Sequence, residues 1–95
     1  MLIVNEYFDG NVKSIALQTK TMPATVGVMA KGDYTFGTDA KETMHVVSGE
    51  LCVQLPGEDS WQTFTDGQVF EVEGDASFKV KVVMDTAYFC QYWPK

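Results

Sequence analysis

Residues 32–55 read Gly32-Asp-Tyr-Thr-Phe-Gly-Thr-Asp-Ala-Lys-Glu-Thr-Met-His-Val-Val-Ser-Gly-Glu-Leu-Cys-Val-Gln-Leu55. Short runs with a side-chain period of two alternate with polar or glycine-bearing corners. A chain written this way buries its apolar side chains by pairing many short strands. Glu42 opens the second run and shares strand parity with Met44, Val46 and Ser48. Residues two apart on a strand share a face, so one carboxylate is predicted on an apolar, inward face. An unpaired charge is costly there, and Glu42 therefore needs a partner or a function.

The same pattern extends in both directions. Residues 1–10 read as a lead-in ending at an Asp9-Gly10 turn. Strands are predicted over residues 12–19, 24–30, 34–38, 43–47, 51–55, 61–65, 69–72, 78–82 and 87–93. Between them stand Thr21-Met22-Pro23, Lys31-Gly32-Asp33, Ser48-Gly49, the loop Pro56–Ser60, an Asp66-Gly67 hairpin turn and the acidic turn Glu73-Gly74-Asp75. Over 78–82 apolar residues alternate with Lys79 and Lys81, whereas 87–93 is apolar on both faces. No segment carries a helical period. Roughly eight to ten short antiparallel strands at this spacing predict an all-β barrel or a two-sheet sandwich. No repeat or linker interrupts the chain, so residues 1–95 read as a single domain with one modest core.

Composition narrows the function. With 45% hydrophobic and 13% aromatic residues, the chain is expected to be globular. Its net charge is −6, with seven lysines and no arginine. That argues against nucleic acid as a partner, because phosphate backbones require clustered cations. A small phosphate ligand stays possible, held by one lysine and backbone N–H groups, but without a bidentate guanidinium fork. No apolar run approaches the roughly 20 residues of a membrane span, so no membrane partner is expected. Met1–Glu6 has no basic region and no long apolar stretch, which predicts a cytoplasmic protein without an export signal. Cys52 and Cys90 do not form a CxxC pair and read as free thiols. Two cysteines and one histidine make no zinc signature.

Six residues separate Glu42 from Gly49. This spacing resembles the second half of the first cupin motif, and Gly67-Gln-Val-Phe-Glu-Val72 resembles the start of the second. The metal ligands of that motif pair do not carry over. Thr38-Asp39-Ala40 stands where cupins have paired histidines, and Phe78 stands at the histidine position of the second motif. His45 lies on the opposite parity from Glu42 and reads as an outward or rim residue. A metal-free cupin is expected, since transition-metal sites usually take three or more protein ligands.

A wider set occurs in order along nearly the whole chain. It comprises Asn5–Phe8, Val12–Ile15, Val26–Met29, Tyr34–Phe36, Glu42-x-Met44-x-Val46-Val47-Ser48-Gly49, Trp61, Gly67-x-Val69-Phe70 and Tyr88-x-Cys90-x-Tyr92. The set is similar to the pyrimidine/purine nucleoside phosphorylase family of small bacterial single-domain cupins, formerly an uncharacterised protein family. The resemblance implies a cupin-like (RmlC-like jelly-roll) barrel. It implies phosphorolysis of purine and pyrimidine nucleosides to free base and ribose 1-phosphate, with inorganic phosphate as co-substrate and no metal or other cofactor. It also implies a homodimer. Two positions depart from the family pattern: Glu73-Gly74-Asp75 replaces a Pro-Gly-His-like turn, and Gln91 replaces an arginine.

Phosphorolysis breaks the bond from C1′ to the base through an oxocarbenium-like state. It needs a grip on phosphate, a contact to the ribose hydroxyls and a proton donor to the departing base. Lys13 is the phosphate candidate by its parity with Ile15 and Leu17, the alternative being a lysine stem packed at a barrel mouth. Glu42 is the candidate for the ribose hydroxyls or the developing cation, the alternative being a structural pair with Lys13. Ser48 could donate to phosphate or serve only its turn. Tyr7 and Tyr34 could stack on a base or simply fill the core. Phe36 and Met44 would form apolar walls, and Gln91 would read a base edge if it faces inward. Asp39 reads as a solvated loop acid. Two competing readings are a non-enzymatic binder of a sugar or nucleoside and a degenerate metal-dependent cupin.

Overall fold

The computed structural model describes residues 1–95 and holds ten strands and no helix. They are β1 (Val4–Tyr7), β2 (Val12–Gln18), β3 (Pro23–Met29), β4 (Gly32–Thr38), β5 (Glu42–Ser48), β6 (Glu50–Gln54), β7 (Gln62–Thr65), β8 (Val69–Val72), β9 (Ala76–Val82) and β10 (Thr86–Tyr92). A six-stranded sheet runs β1-β2-β3-β10-β5-β8, and a four-stranded sheet runs β4-β9-β6-β7. All pairings are antiparallel. The all-β architecture is as expected, and it takes the sandwich form: two facing sheets rather than one continuous barrel ladder.

Period-two patterning explains why the sheets face one another. In β9, Phe78, Val80 and Val82 are buried while Lys79 and Lys81 are exposed. In β6, Leu51 and Val53 are buried, and in β8, Phe70 and Val72 are. The β9 and β6 side chains of the small sheet meet Phe70, Val72, Met44, Val46, Tyr88 and Cys90 of the large sheet in one cluster of 14 buried residues. Each fully buried valine or leucine contributes about 1.5–3 kcal/mol.

Two local readings are corrected. Residues 4–7 form a strand rather than a lead-in; β1 is a short edge strand on β2, so it carries no alternating signature. Asp66-Gly67 is a turn, with Gly67 at φ 81°, but it closes no hairpin. It carries the chain from β7 in one sheet to β8 in the other, where Gly67 N–H donates to the Val46 carbonyl at 2.8 Å. Turn residues report a reversal of direction, and the partner of the following strand is chosen by long-range packing.

From β3 onward every connection except that between β6 and β7 crosses between the sheets. Ser48-Gly49 is one such crossing. Gly49 sits at φ 122°, and a Cβ there would lie 2.3 Å from Thr86 Oγ1 and 2.9 Å from Thr86 Cα. Thr86 itself is fully buried, and its hydroxyl accepts from Glu50 N–H at 3.0 Å. A Gly49→Ala variant is expected to lose about 3 kcal/mol of stability, from left-handed strain plus overpacking against backbone. The midpoint of a urea titration checks this, and an unchanged midpoint would contradict the crossing geometry.

Candidate active site

Between the sheets lies a cavity of about 740 Å³. Its floor is built by register. On the inner face of the large sheet Met44 opposes Cys90, Glu42 opposes Tyr92, and Val46 opposes Tyr88. On the other side of β10, Tyr88 opposes Gly27 and Cys90 opposes Thr25. Gly27 in turn opposes Ser14. A Cβ at Gly27 would lie 2.6 Å from the Tyr88 hydroxyl and 2.6 Å from the Lys13 carbonyl. Only glycine lets the Tyr88 ring lie across β3 at this point. The far wall comes from Thr35, Phe36 and Gly37 of β4 and Phe78 of β9. Tyr7, Phe8, Asp39 and Ala40 line its rim, with Val12 and Met29 deeper in.

Phe8 enters the cavity because its backbone is left-handed, at φ 54°. That conformation costs about 1–2 kcal/mol for a residue with a Cβ. Its ring packs 4.9 Å from Tyr34 and 5.5 Å from Phe36, centroid to centroid, which offsets the strain. The Asp39–Lys41 corner is held by backbone and hydroxyl bonds. Thr38 Oγ1 donates to the Glu73 carbonyl at 2.6 Å, Asp75 N–H donates to the Asp39 carbonyl at 3.3 Å, and Trp93 N–H to that of Lys41 at 2.9 Å. The Glu73-Gly74-Asp75 turn thus braces the corner from which Glu42 departs.

Glu42 stands inside the cavity as its parity requires. Burial raises its carboxyl above the ordinary value of 4.5, and the Cys90 thiol, donating to Oε1 at 3.5 Å, opposes that only weakly. Burial also pushes the Tyr88 hydroxyl up to about 12, with Ser14 working the other way. The Cys90 thiol and the Tyr92 hydroxyl are raised for the same reason, with the Glu42 charge adding to both. Tyr92 hydroxyl and Thr25 Oγ1 lie 3.0 Å apart. The cavity therefore offers protonated hydroxyl and thiol groups around one inner carboxyl, with Asp39 at the rim, and no cationic side chain lines it.

Of the residues singled out from sequence, Glu42, Tyr7, Phe36 and Met44 meet in this cavity. Lys13, Tyr34, Ser48 and Gln91 do not line it. Lys13 does share a face with Ile15 and Leu17, but that face is the outer one; Val12 and Ser14 are the buried set of β2. Its ammonium pairs with Glu6 at 3.3 Å, both side chains being more than half exposed, so it is not the partner of Glu42. Tyr34 is buried behind Phe8 and Phe36 and donates to the Ala30 carbonyl at 2.6 Å. At Val47 a register shift puts Ser48 opposite Ala87 and Val46 opposite Tyr88, so Ser48 leaves the parity of Glu42 and is exposed. Gln91 faces outward, 2.8 Å from Nε2 of His45, which also lies outside. Asp39 is a solvated loop acid as expected, standing at the cavity rim in an exposed pair with Lys95.

Sequence reasoning missed Phe8, Ser14, Tyr88, Cys90 and Tyr92 as cavity residues. Tyr88, Cys90 and Tyr92 had period two as their signal, weakened because Phe89 and Trp93 stand on the opposite parity, and Phe8 and Ser14 stood only within the family-like runs Asn5–Phe8 and Val12–Ile15. No group of three or more His, Cys, Asp or Glu side chains converges as a metal set.

Two sheets enclosing a ligand-sized cavity define a cupin-like protein. The fold is shared with an RmlC-like cupin from Shewanella frigidimarina, at TM-score 0.77 and 19% identity over 100% of this chain and 86% of that one. It is closer to a structure of unknown function from Vibrio parahaemolyticus, at TM-score 0.93 and 45% identity, covering 98% and 99% of the two chains. Over residues 2–92 the chain matches the family described as pyrimidine/purine nucleoside phosphorylase, and it belongs to that family. Among its relatives, one from Saccharophagus degradans named pyrimidine/purine nucleoside phosphorylase is 71% identical over 97% of this chain and 98% of its own length.

The burial of Glu42 has a measurable consequence. A carboxyl with a raised folded pKa stabilises fully below its unfolded pKa, and the contribution is lost as pH rises through the folded value. Glu42→Gln, neutral throughout, is expected to melt above the parent at about pH 8 and to converge with it towards about pH 4. Thermal melts across that range read this directly, and a parallel offset at every pH would contradict it.

Proposed function

We propose that the protein is a metal-independent nucleoside phosphorylase acting in this cavity. It cleaves purine and pyrimidine nucleosides with inorganic phosphate, giving free base and ribose 1-phosphate. The observation that carries this reading is the cavity itself: about 740 Å³, with an aromatic wall and one half-buried inner carboxyl, in a chain of this family. The curated names of its relatives supply the reaction.

Phe36, Phe8 and Tyr7 offer ring faces for a base, and Met44 an apolar wall. Glu42 supplies the carboxyl beside the bond to be broken. Lys13 is committed to Glu6 on the outer face, so the grip on phosphate falls to the neutral donors Ser14, Tyr88 and Tyr92. Neutral donors can hold an anion where water is scarce, because their dipoles act through a low dielectric. The broad cavity, with no side-chain amide such as an inward Gln91 would have supplied to read a base edge, suits several bases.

The reading also includes a cytoplasmic homodimer. Across the outer face of the large sheet, Val4, Ile15, Val26, Phe89, His45 and Val69 stand in one cross-strand row. Val26 and Val28 are about half exposed, and such a mainly apolar row, interrupted by His45, on a water-facing sheet suits a second copy.

Purified protein incubated with inosine or uridine is expected to release base only when phosphate is present, with no loss on chelation. Tyr88→Phe should raise the phosphate KM about 10- to 100-fold, the worth of one buried hydrogen bond. Absence of phosphate-dependent release would overturn the assignment; saturable nucleoside binding without turnover would instead mark a binding protein. Light scattering should give twice the 10.6 kDa chain mass, falling to one chain in Val26→Glu.

A further inference from the structure

We infer that Glu42 is the acid that hands a proton to the departing base. The inference rests on the phosphorylase reading above and deepens it at one residue. Its basis is placement. Glu42 is the only carboxyl on the inner face of the large sheet within the cavity, opposite Tyr92 on one side and Val72 on the other. The titratable groups that share the cavity with it are Tyr88, Cys90 and Tyr92 from β10, Tyr7 from β1 and Asp39 at the rim. All are neutral or negative. The nearby lysines are engaged elsewhere: Lys13 with Glu6, Lys41 with Glu71 on the outer face at 3.3 Å, and Lys95 with Asp39.

A carboxylate stabilises an oxocarbenium ion only when ionised. Here nothing positive supports the ionised form, and phosphate brings further negative charge into the same space. Both effects favour the neutral acid. Cys90 Sγ occupies Oε1 as a weak donor at 3.5 Å, and Oε2 makes no hydrogen bond within the protein. The other proton sources are poorer. Tyr92 is hydrogen-bonded with Thr25, and Tyr88 is held at about 12 beside Ser14.

The step balances. A phosphate oxygen forms the new bond to C1′, and the C1′–N electron pair leaves with the base. The Glu42 proton passes to that base. The hydrogen carried by the attacking hydrogenphosphate then restores the carboxyl, so no outside acid or base is consumed.

The test compares two leaving groups in one variant. Glu42→Gln keeps shape and hydrogen bonding but gives no proton. With inosine its kcat is expected to fall on the order of 10²–10⁴-fold, the usual worth of general acid catalysis. An N7-methylated guanine riboside carries its charge already and leaves as a neutral base without protonation. Its kcat should fall at least about tenfold less. In the parent, kcat on inosine should decline as pH rises through the raised Glu42 pKa, and the methylated substrate should lack that limb. Both substrates being assayed on the same preparation, a folding defect would lower them together and be visible in the melt. Equal losses in a folded variant would overturn the inference and assign Glu42 to the sugar, and no loss on either would overturn it too. An inactive parent would overturn both this inference and the phosphorylase reading, an outcome distinct from an active parent with equal losses.

Discussion

The pairing of β10 between β3 and β5 is the constraint on which the site depends. This last strand is inserted in the middle of the large sheet and is hydrogen-bonded on both edges. Its inward residues Tyr88, Cys90 and Tyr92 form the cavity floor, so the floor exists only once the last strand has inserted between β3 and β5. Two close approaches fix its position. Gly49 packs against Thr86 where β10 begins, and Gly27 lets the Tyr88 ring lie flat further along. Both are contacts in which a single methyl group would meet backbone or a rigid ring.

Charge is arranged as tightly as packing. The chain is acidic and keeps its lysines on the surface, where Lys13, Lys41 and Lys95 pair with Glu6, Glu71 and Asp39. Such exposed pairs are worth little to stability. What they do is leave the interior without a cation. The cavity must therefore recognise its ligand through neutral donors, aromatic faces and one carboxyl, and that carboxyl is pushed towards its neutral form. A glutamate that is unfavourable for the fold is thereby suited to acid catalysis.

Legibility in the sequence followed the physics of each signal. Nine of the strands were readable from period two and turn residues; β1 was not, because an exposed edge strand need not alternate. Glu42, Met44 and Phe36 were placed correctly in the cavity because parity holds within one unbroken strand. Ser48 was not, because a register shift at Val47 resets that parity. Lys13 and Gln91 failed for another reason. Both sit on strands whose outer face is also apolar, so hydrophobicity did not say which face is inside.

The sequence by itself determined the all-β class, the absence of a histidine metal set at the cupin positions, the family, and a carboxyl on an inward strand face. These are local or additive properties: strand period, residue identity at a spacing, parity over seven residues. Only the tertiary structure decided which face of β2 and β10 lines the cavity, that Asp66-Gly67 links two sheets, and that no lysine reaches Glu42. Those outcomes depend on pairings between residues far apart in the chain, where one register shift moves a side chain from the interior to water.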